Sequence, residues 1–309
     1  MSSIPCAQAL SLRTRMLLTC VIWQLVVGMI KGHKIQILCA TMWQTDFSKY
    51  REMHIYNCDA VFANQADTYN YVEKMMDGAK VEMLTTATKG VGKNRNLALT
   101  LATGDILLFA DDDMEYTQNA VEIVAEAFKH FPKADMIVFG IRYAKNGVVF
   151  KSRLPKTGRL PFYRALRYGT CAIAVRREAV QRCNLHFTES FGGGCLYSYG
   201  EDTDFIVQCY KKHLHIYAWD EAIAVTNKDT STCFSGYGKK YYFDKGALAR
   251  HSLGIMALPY CLRIASKKME TELPFFQRIA YLWYGYKSFP QLISYERWVK
   301  TRHEEDSDS

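Results

Sequence analysis

Short apolar runs alternate with helical patterns along the chain from residue 34 onward. Five of these runs predict buried strands: 34–40, 59–63, 81–84, 105–110 and 136–140. Three segments between them have helical character: 66–76, 93–102 and 118–131. In the last one, Val121, Val124 and Phe128 recur at the spacing of one helix face. This alternation predicts an α/β fold, a mostly parallel sheet flanked by helices that binds ligands beyond the carboxyl ends of its strands.

The second half of the chain has a different pattern. Residues 143–163 are basic and turn-rich, which predicts a hairpin or a flexible loop. A strand candidate at 170–177 and a strand pair around 215–226 follow, and the pattern becomes helical from Tyr237. We therefore divide the chain into an apolar leader or membrane anchor at 1–31, a sheet domain at 32–235, a helical C-terminal region at 236–302 and a disordered acidic tail at 303–309.

Composition adds constraints on partners and compartment. The chain has 309 residues and a formal net charge of +8. This charge suits a nucleotide, a phosphorylated lipid or a membrane surface, and it does not single out nucleic acid. The ten cysteines form no C-x-x-C pair, and no N-x-[ST] sequon occurs. We expect free thiols in a reducing, cytosolic compartment rather than a disulfide framework or a structural zinc site.

The N-terminal segment allows two interpretations. An apolar stretch from Met16 to Ile30 follows two arginines, as in a signal anchor. It is shorter than the ~20 residues that span a bilayer, and no small-residue cleavage site follows it. Residues 1–31 are either a membrane anchor or a leader upstream of a true start near Met29, and we favour the leader.

Three adjacent aspartates, Asp111, Asp112 and Asp113, follow the apolar run 105–110. Like charges repel, and carboxylates near an apolar core lose hydration that must be replaced. A hard divalent cation such as Mg²⁺ or Mn²⁺ prefers oxygen ligands of this kind and can bridge to phosphates. A solvated loop whose aspartates cap the next helix is equally consistent with these residues alone.

A basic, glycine-containing turn, "TKGVGKNRN", opens the predicted helix 93–102. Its spacing fits neither a Walker A motif nor a G-x-G-x-x-G fingerprint. What remains is a tight Gly90–Gly92 turn that places Lys89, Lys93 and Arg95 near the positive end of a helix, where an anion is favoured. A basic first turn on a solvent-exposed face is the alternative.

A second glycine-rich stretch, "GGGCLYSYGEDTDF" at 192–205, leads into a helix with Glu201 and Asp202 in its first turn. Glycines let the backbone approach a ligand closely. A carboxylate at a helix N-terminus stays ionised, which suits it to accept a proton. An ordinary N-cap with an acidic first turn is the alternative.

The order of these motifs resembles the family 2 glycosyltransferases, which have the GT-A fold. In that family a glycine-Arg-Asn turn precedes a helix, an A-x-G-D turn leads into a strand ending in the D-x-D motif, and a later Glu-Asp pair carries the base. Here "KGVGKNRN", "ATGDILLFADDD" and "GEDTDF" occur in the same order, and the resemblance covers residues 34 to 226. The stretch "DTSTCFSGYGKKYYFDKGAL" further resembles a subgroup found in bacterial capsule and polysaccharide clusters.

The resemblance implies roles for the matching positions. Five of them correspond to residues that bind the nucleotide sugar: Thr41, Asp67, Arg95, Asp111 and Asp112. Asp202 matches the general base, and Glu201 stands beside it.

The resemblance also implies a metal ion, Mn²⁺ or Mg²⁺, with Asp113 as its direct ligand and Asp111 as the other D-x-D end. Many GT-A enzymes supply a further ligand, often histidine, after the later strands, but "AIAVTNKDTST" contains none. Asn227, Asp229 or a phosphate-neutralising lysine, Lys228, could substitute for it, or the metal could rely on substrate and water.

The activity implied is transfer of a sugar, with inversion, from a nucleoside diphosphate donor to a glycan or lipid-linked acceptor in polysaccharide biosynthesis. UDP is the family's commonest nucleotide. Two other interpretations stay open: a sugar nucleotidyltransferase, and a catalytically silent GT-A subunit that binds ligand without turnover.

The C-terminal region suggests peripheral membrane contact at the cytoplasmic face. From Arg263 to Arg302 the chain has eight Lys or Arg against three Glu, interleaved with aromatic residues. These aromatic residues include Phe275, Phe276, Tyr281, Trp283, Tyr284 and Phe289. This mixture suits an anionic membrane interface, where a lipid-linked acceptor is presented. The alternative is a helical cap that packs its aromatic side chains on the catalytic domain.

Overall fold

The structure is a computed structural model that describes residues 33–145, 148–150, 154–227 and 236–307. The predicted leader or anchor at 1–31 lies outside these ranges. Within them, no helix is both long enough and apolar enough to cross a membrane.

An eleven-stranded mixed sheet organises the described residues from Ile35 onward. The strands are β1 (Ile35–Met42), β2 (Asp59–Gln65), β3 (Asn70–Met76), β4 (Ala79–Thr86), β5 (Ile106–Asp111), β6 (Met114–Tyr116), β7 (Met136–Lys145), β8 (Val148–Phe150), β9 (Gly158–Arg159), β10 (Ile173–Arg176) and β11 (Ile216–Asn227). Their order is β3-β4-β2-β1-β5-β10-β7-β11-β6, with β8 beside β7 and β9 beside β11. Strands β4, β2, β1 and β5 run parallel, as do β7 and β11, whereas β10 is antiparallel to both of its neighbours. The predicted α/β fold class is confirmed.

Ten α-helices accompany the sheet in the part of the chain that the structure describes. They are α1 (Ser48–Glu52), α2 (Val91–Thr100), α3 (Ala120–His130), α4 (Phe162–Ala165), α5 (Arg177–Cys183), α6 (Glu201–Lys211), α7 (Lys239–Ser252), α8 (Ala257–Ser266), α9 (Phe275–Ser288) and α10 (Tyr295–Ser307). The predicted helices at 93–102 and 118–131 correspond to α2 and α3, and the helical pattern after Tyr237 is confirmed by α7 to α10.

The main core lies on the faces of the central strands. Phe109 of β5 is fully buried and packs edge-to-face on Phe187 and Phe205, with ring centroids 5.2 and 5.4 Å away. Gln36 is a buried polar residue of β1 whose Oε1 accepts a hydrogen bond from the Gly104 amide at 2.9 Å. This bond fixes the turn that leads into β5, and so it positions the aspartates that follow.

The predicted helix at 66–76 is wrong. Asn70–Met76 forms β3, which pairs antiparallel with β4. Asp77 and Gly78 between the two strands both have positive φ, 50° and 84°. An Asp-Gly pair of this kind is the usual two-residue hairpin turn. Cross-strand contacts such as Lys80 to Glu73, at 3.1 Å, then stabilise the strand over any local helical preference.

Two expectations in the second half also need correction. The predicted strand pair around 215–226 is one long strand, β11, with register shifts between Ala218 and Ala224. The tail expected to be disordered from residue 303 continues α10 as far as Ser307. The predicted hairpin after Tyr143 is present, because β7 and β8 pair antiparallel.

Helices α7 and α9 of the C-terminal region are in direct backbone contact. A Cβ atom added to Gly246 would lie 1.9 Å from the carbonyl oxygen of Leu282, and one added to Gly285 would lie 1.8 Å from that of Phe243. Only glycine allows this approach. The two helices therefore meet at a distance that excludes any side chain at these two positions.

We expect Gly246→Ala to lower the free energy of unfolding by about 3 kcal/mol, because the added methyl group forces the two helices apart. Urea denaturation measures the change. The matched control is Gly238→Ala at the start of the same helix, where an added Cβ meets nothing within 4 Å. The control should cost less than about 1 kcal/mol. Equal losses in both variants would contradict the close contact.

Several aromatic residues of this region pack inward, as the helical-cap interpretation predicts. Tyr284 stacks on Trp298, with centroids 4.8 Å apart, and Phe289 stacks on Phe191 at 5.8 Å. Tyr281 also belongs to a cluster around buried residues of α7 and α9. Others, Phe276 and Trp283 among them, remain exposed.

Candidate active site

The carboxyl ends of the adjacent parallel strands β1 and β5 form the centre of the site. Ala40 pairs with Asp111 in the sheet register, so the residues that follow these two positions come together. Thr41 Oγ1 donates a hydrogen bond to Asp112 Oδ2. Two residues that the sequence assigned to nucleotide binding therefore touch each other.

Arg95 connects this sheet edge to the predicted catalytic pair. Its guanidinium is buried and donates to Asp111 Oδ1 at 2.7 Å, to Asp202 Oδ1 at 3.2 Å and to Glu201 Oε1 at 3.4 Å. It also lies over the Phe187 ring, 5.4 Å from the centroid. Burial alone would lower the pKa of Arg95, but the three carboxylates raise it above its usual value. The side chain therefore keeps its charge.

The glycines of the two predicted loops bring those loops against each other. Gly90 has φ 119° and immediately precedes α2, and a Cβ there would lie 2.7 Å from Cys195 Sγ. Gly192 has φ 104°, and a Cβ there would lie 2.8 Å from the Glu201 carboxyl carbon. The Val91 amide also donates to the Gly193 carbonyl at 3.0 Å. The glycines thus join the start of α2 to the start of α6.

Glu201 and Asp202 differ in environment although they are neighbours. Glu201 is the more enclosed, with 13% of its side chain exposed against 34% for Asp202. Burial, followed by the charge of Asp202, raises the pKa of Glu201 to about 7, while Arg95 opposes this rise. The Asp202 Oδ1 atom accepts hydrogen bonds from Arg95 and Thr170, and its Oδ2 atom lies beside Gly169.

Cys171 lies near carboxylates from both β5 and α6. Its side chain is partly buried, and burial, followed by the charges of Asp111, Asp202 and Asp113, raises the pKa of its thiol. One thiol therefore lies within electrostatic reach of both the aspartate cluster and the predicted base. Cys171 and Thr170 were not among the residues chosen from the sequence, because a small side chain before a strand carries no signal of this contact.

Asp113 has the chemistry of a cation ligand. Burial and the charges of Asp111 and Asp112 raise its pKa, and a hydrogen bond from Thr226 opposes the rise. Crowded carboxylate oxygens of this kind favour a hard divalent cation. Within the ranges that the structure describes, no group of three His, Cys, Asp or Glu is arranged to hold a metal ion.

The further metal ligand proposed from the sequence is not located by the structure. Lys228 and Asp229 lie outside the described residues. The backbone of Asn227 ends β11, and its side chain is not described.

A cleft of about 300 Å³ opens beyond the ends of β1, β2 and β4. Its lining includes Trp43, Phe47, Ala66, Thr68 and Thr85. Asp67, predicted to contact the nucleoside, is exposed in the loop between Ala66 and Thr68. The Asn64 side chain fixes the loop that follows β1. It accepts a hydrogen bond from the backbone amide of Gln44 at 2.9 Å and donates one to the backbone carbonyl of Gln44 at 2.8 Å. The cleft is thus a preformed, partly aromatic surface.

Lys245 of α7 is a site residue that sequence reasoning missed. Its ammonium lies over the Tyr199 and Tyr241 rings, 5.8 and 5.6 Å from their centroids. Burial lowers its pKa, while Glu201 and Asp202 oppose that change. The C-terminal region therefore supplies a cation near the acid pair. In the sequence it is one lysine within a basic helix, and only the packing of α7 against α6 sets it apart.

The fold is of the GT-A type: a mixed sheet flanked by helices, with acids at the end of β5 and an acid pair opening a facing helix. Residues 50–184 match the model of the family described as Glycosyl transferase family 2. This segment of the chain is therefore similar to the family 2 glycosyltransferases.

Solved structures of S. aureus TarS are similar in fold. TarS 1-349 in complex with UDP-GlcNAc has a TM-score of 0.50 and 17% identity, over 81% of this chain and 70% of that one. The same protein in complex with UDP has a TM-score of 0.50 and 14% identity, over 82% and 71%. A further TarS structure gives 0.51 and 16%, over 75% of this chain and 42% of that one. No curated protein sequence matches the chain.

Proposed function

We propose that this glycosyltransferase moves a sugar, with inversion, from a UDP-sugar to a hydroxyl group of a glycan or lipid-linked acceptor in polysaccharide biosynthesis. The observation that carries the proposal is the position of Arg95. It contacts both Asp111, on the nucleotide side, and the Glu201–Asp202 pair that opens α6. A donor that lies between these groups has its diphosphate near cations and its sugar near a base.

The donor side of the proposal rests on the cleft beyond β1, β2 and β4. Aromatic and polar side chains such as Trp43 and Thr85 line it and suit a planar base, and Asp67 lies in the loop between two lining residues, Ala66 and Thr68. The TarS structures hold UDP-GlcNAc and UDP. We propose that the donor of this chain also carries UDP, and we make no proposal about which sugar it carries.

The acid cluster fits a divalent cation, Mn²⁺ or Mg²⁺. Burial, followed by repulsion from Asp111 and Asp112, raises the pKa of Asp113; a cation would relieve that repulsion, and carboxylate oxygens are the ligands these ions prefer. Asp113 and Asp111 would hold the ion, with donor phosphates and water as the remaining ligands. Once bound, it would supply neutralising charge for the diphosphate. Arg95 keeps its own positive charge beside Asp111 and orients that carboxylate.

Asp202 is the proposed general base. Oδ1 is engaged by Arg95 and Thr170, which orients the carboxylate and leaves Oδ2 to face the acceptor. The acceptor oxygen attacks C1 of the sugar, the bond from C1 to the diphosphate oxygen breaks, and the hydroxyl proton passes to Asp202. Lys245 supplies a further positive charge near the acid pair. Attack opposite the leaving group inverts the configuration at C1.

Release of UDP tests the proposal. The full chain, incubated with UDP-sugars and Mn²⁺, should release UDP, and Mn²⁺ should strengthen UDP binding.

We expect Asp113→Ala to reduce the affinity for UDP in Mn²⁺ at least about tenfold, or about 1.4 kcal/mol, since the phosphates lose their bridging charge. Isothermal titration with and without Mn²⁺ measures this.

The matched control is Asp220→Ala, an exposed aspartate on β11 outside the site. It should bind UDP as the unaltered chain does. Equal UDP affinity of Asp113→Ala and the unaltered chain in Mn²⁺ would remove the metal role. Pyrophosphate as product would favour a nucleotidyltransferase, and binding with neither product would favour a silent GT-A subunit.

We also propose a cytoplasmic location. The cysteines within the described residues are free thiols, seven in number, which suits a reducing compartment.

A further inference from the structure

An apolar ridge, formed by Ile255, Leu258 and Leu262, stands out from the first half of α8 and the turn before it. The exposed fractions of these residues are 95%, 69% and 45%. Their spacing of three and four residues places them on one side of the helix. Ala257 and Ala265 of the same helix are buried in clusters with residues of α7 and α9. The helix is therefore apolar on the face that it packs and also on the face that it leaves open.

Basic residues predominate around the ridge. Residues 162–168 and 250–295 together contain eight Lys or Arg and two acids, Glu270 and Glu272. Arg263 on α8 and Lys267 and Lys268 just after this helix are exposed. No ion pair among the described residues involves any of these three. The surface therefore presents net positive charge beside exposed apolar side chains.

An aromatic and basic stack adjoins the ridge. Trp283 of α9 is exposed and lies parallel to Tyr286, with ring centroids 5.8 Å apart. The Lys287 ammonium lies 4.7 Å from the Trp283 centroid. Tyr286 packs against Leu253 and Ala257 at the base of the ridge. Tryptophan beside lysine is the combination enriched at the headgroup level of membranes.

We propose that this surface docks the protein on an anionic lipid bilayer, with the apolar ridge inserted at the boundary of headgroups and acyl chains. The basic residues contact lipid phosphates. Charge decides between a bilayer and a second copy of the chain. A symmetric dimer through this face would oppose two surfaces that each carry net positive charge, since eight Lys or Arg there outnumber two Glu.

The position of the surface suits a lipid-linked acceptor, and this part of the inference rests on the proposed function. On helix α7, Lys245 lies near the acid pair and Ser252 lies near the base of the ridge. At a rise of 1.5 Å per residue, these two residues are about 10 Å apart along the helix axis. An acceptor head group held at the bilayer surface would thus come close to Asp202.

Vesicle flotation of the full chain tests the docking surface. We expect binding to vesicles of equal parts phosphatidylcholine and phosphatidylglycerol, and weak binding to phosphatidylcholine alone. The double change Ile255→Glu and Leu258→Glu should lower the partition coefficient at least about tenfold, because two apolar side chains no longer insert. Lys267→Gln with Lys268→Gln should lower it roughly tenfold or more and weaken its dependence on salt.

The matched control is Met75→Glu on β3, since Met75 is 64% exposed and far along the sheet from α8. It should bind vesicles as the unaltered chain does. Failure of the unaltered chain to bind anionic vesicles would overturn the proposal. Unchanged binding by the ridge variant would place the contact elsewhere, and a dimer lost in that variant with vesicle binding intact would assign the ridge to a second copy. The assay contains no donor, so its result is independent of the transfer reaction.

Discussion

Asp202→Asn should lower kcat by about 10²–10⁴-fold while leaving UDP-sugar affinity within a few-fold of the unaltered value. The amide retains the size of the side chain and can still accept from Arg95 and Thr170, but it cannot take the proton of the acceptor hydroxyl. Transfer kinetics under saturating donor measure kcat, and titration with UDP measures binding.

Glu201→Gln is the control for that assignment, because it changes the neighbouring carboxylate in the same way. Glu201 is more enclosed than Asp202 and has a pKa raised to about 7, so part of it is protonated near neutrality. We expect a smaller loss of kcat in this variant. If Asp202→Asn kept near-normal turnover while Glu201→Gln lost it, the base would be Glu201.

Arg95→Met should lower the free energy of unfolding by about 3–5 kcal/mol above neutral pH and should abolish measurable donor turnover. The change leaves Asp111, Glu201 and Asp202 without the buried cation that they share. Their repulsion raises the carboxyl pKa values in the folded state, so protonation favours folding. The loss should therefore shrink as the pH falls below about 7, the pKa of Glu201 in the unaltered protein.

Urea denaturation above and below that pH checks the prediction. Arg177→Met is the matched control, since Arg177 Nε donates only to the Gly104 carbonyl, at 2.8 Å, away from the acid pair. Its loss should be smaller and should not depend on the ionisation of Glu201. A pH-independent loss in Arg95→Met would mean that Arg95 contributes by packing, on Phe187 for example, rather than by charge.

The sequence was sufficient where the signal was local and periodic. Buried runs such as 105–110 became strands, and the amphipathic segment 118–131 became α3. It misled at 66–76, where a helical composition outweighed the Asp77-Gly78 turn. The turn pairs β3 with β4, and a strand that gains a partner no longer depends on its own propensity.

Some residues of the candidate site could be predicted from the sequence, and others are evident only in the structure. Motif order indicated Arg95, Asp111 and Asp202 as parts of one centre, and the structure brings these three side chains into contact. Their chemical roles stay predictions. Lys245 and Thr170 had no motif to mark them, because each reaches the acid pair through the packing of an element distant in sequence.

The sequence by itself determined the class of fold and indicated the resemblance to family 2 glycosyltransferases, since strand and helix periods, the order of the glycine turns and the acids after β5 are all read along the chain. Only the tertiary structure decided which aromatic residues of the C-terminal region pack inward and which stay exposed. It also decided that a buried arginine joins three carboxylates. The reason is physical: periodicity shows that a helix has an apolar face, but burial depends on which neighbour covers that face, and contacts between distant segments leave no periodic trace.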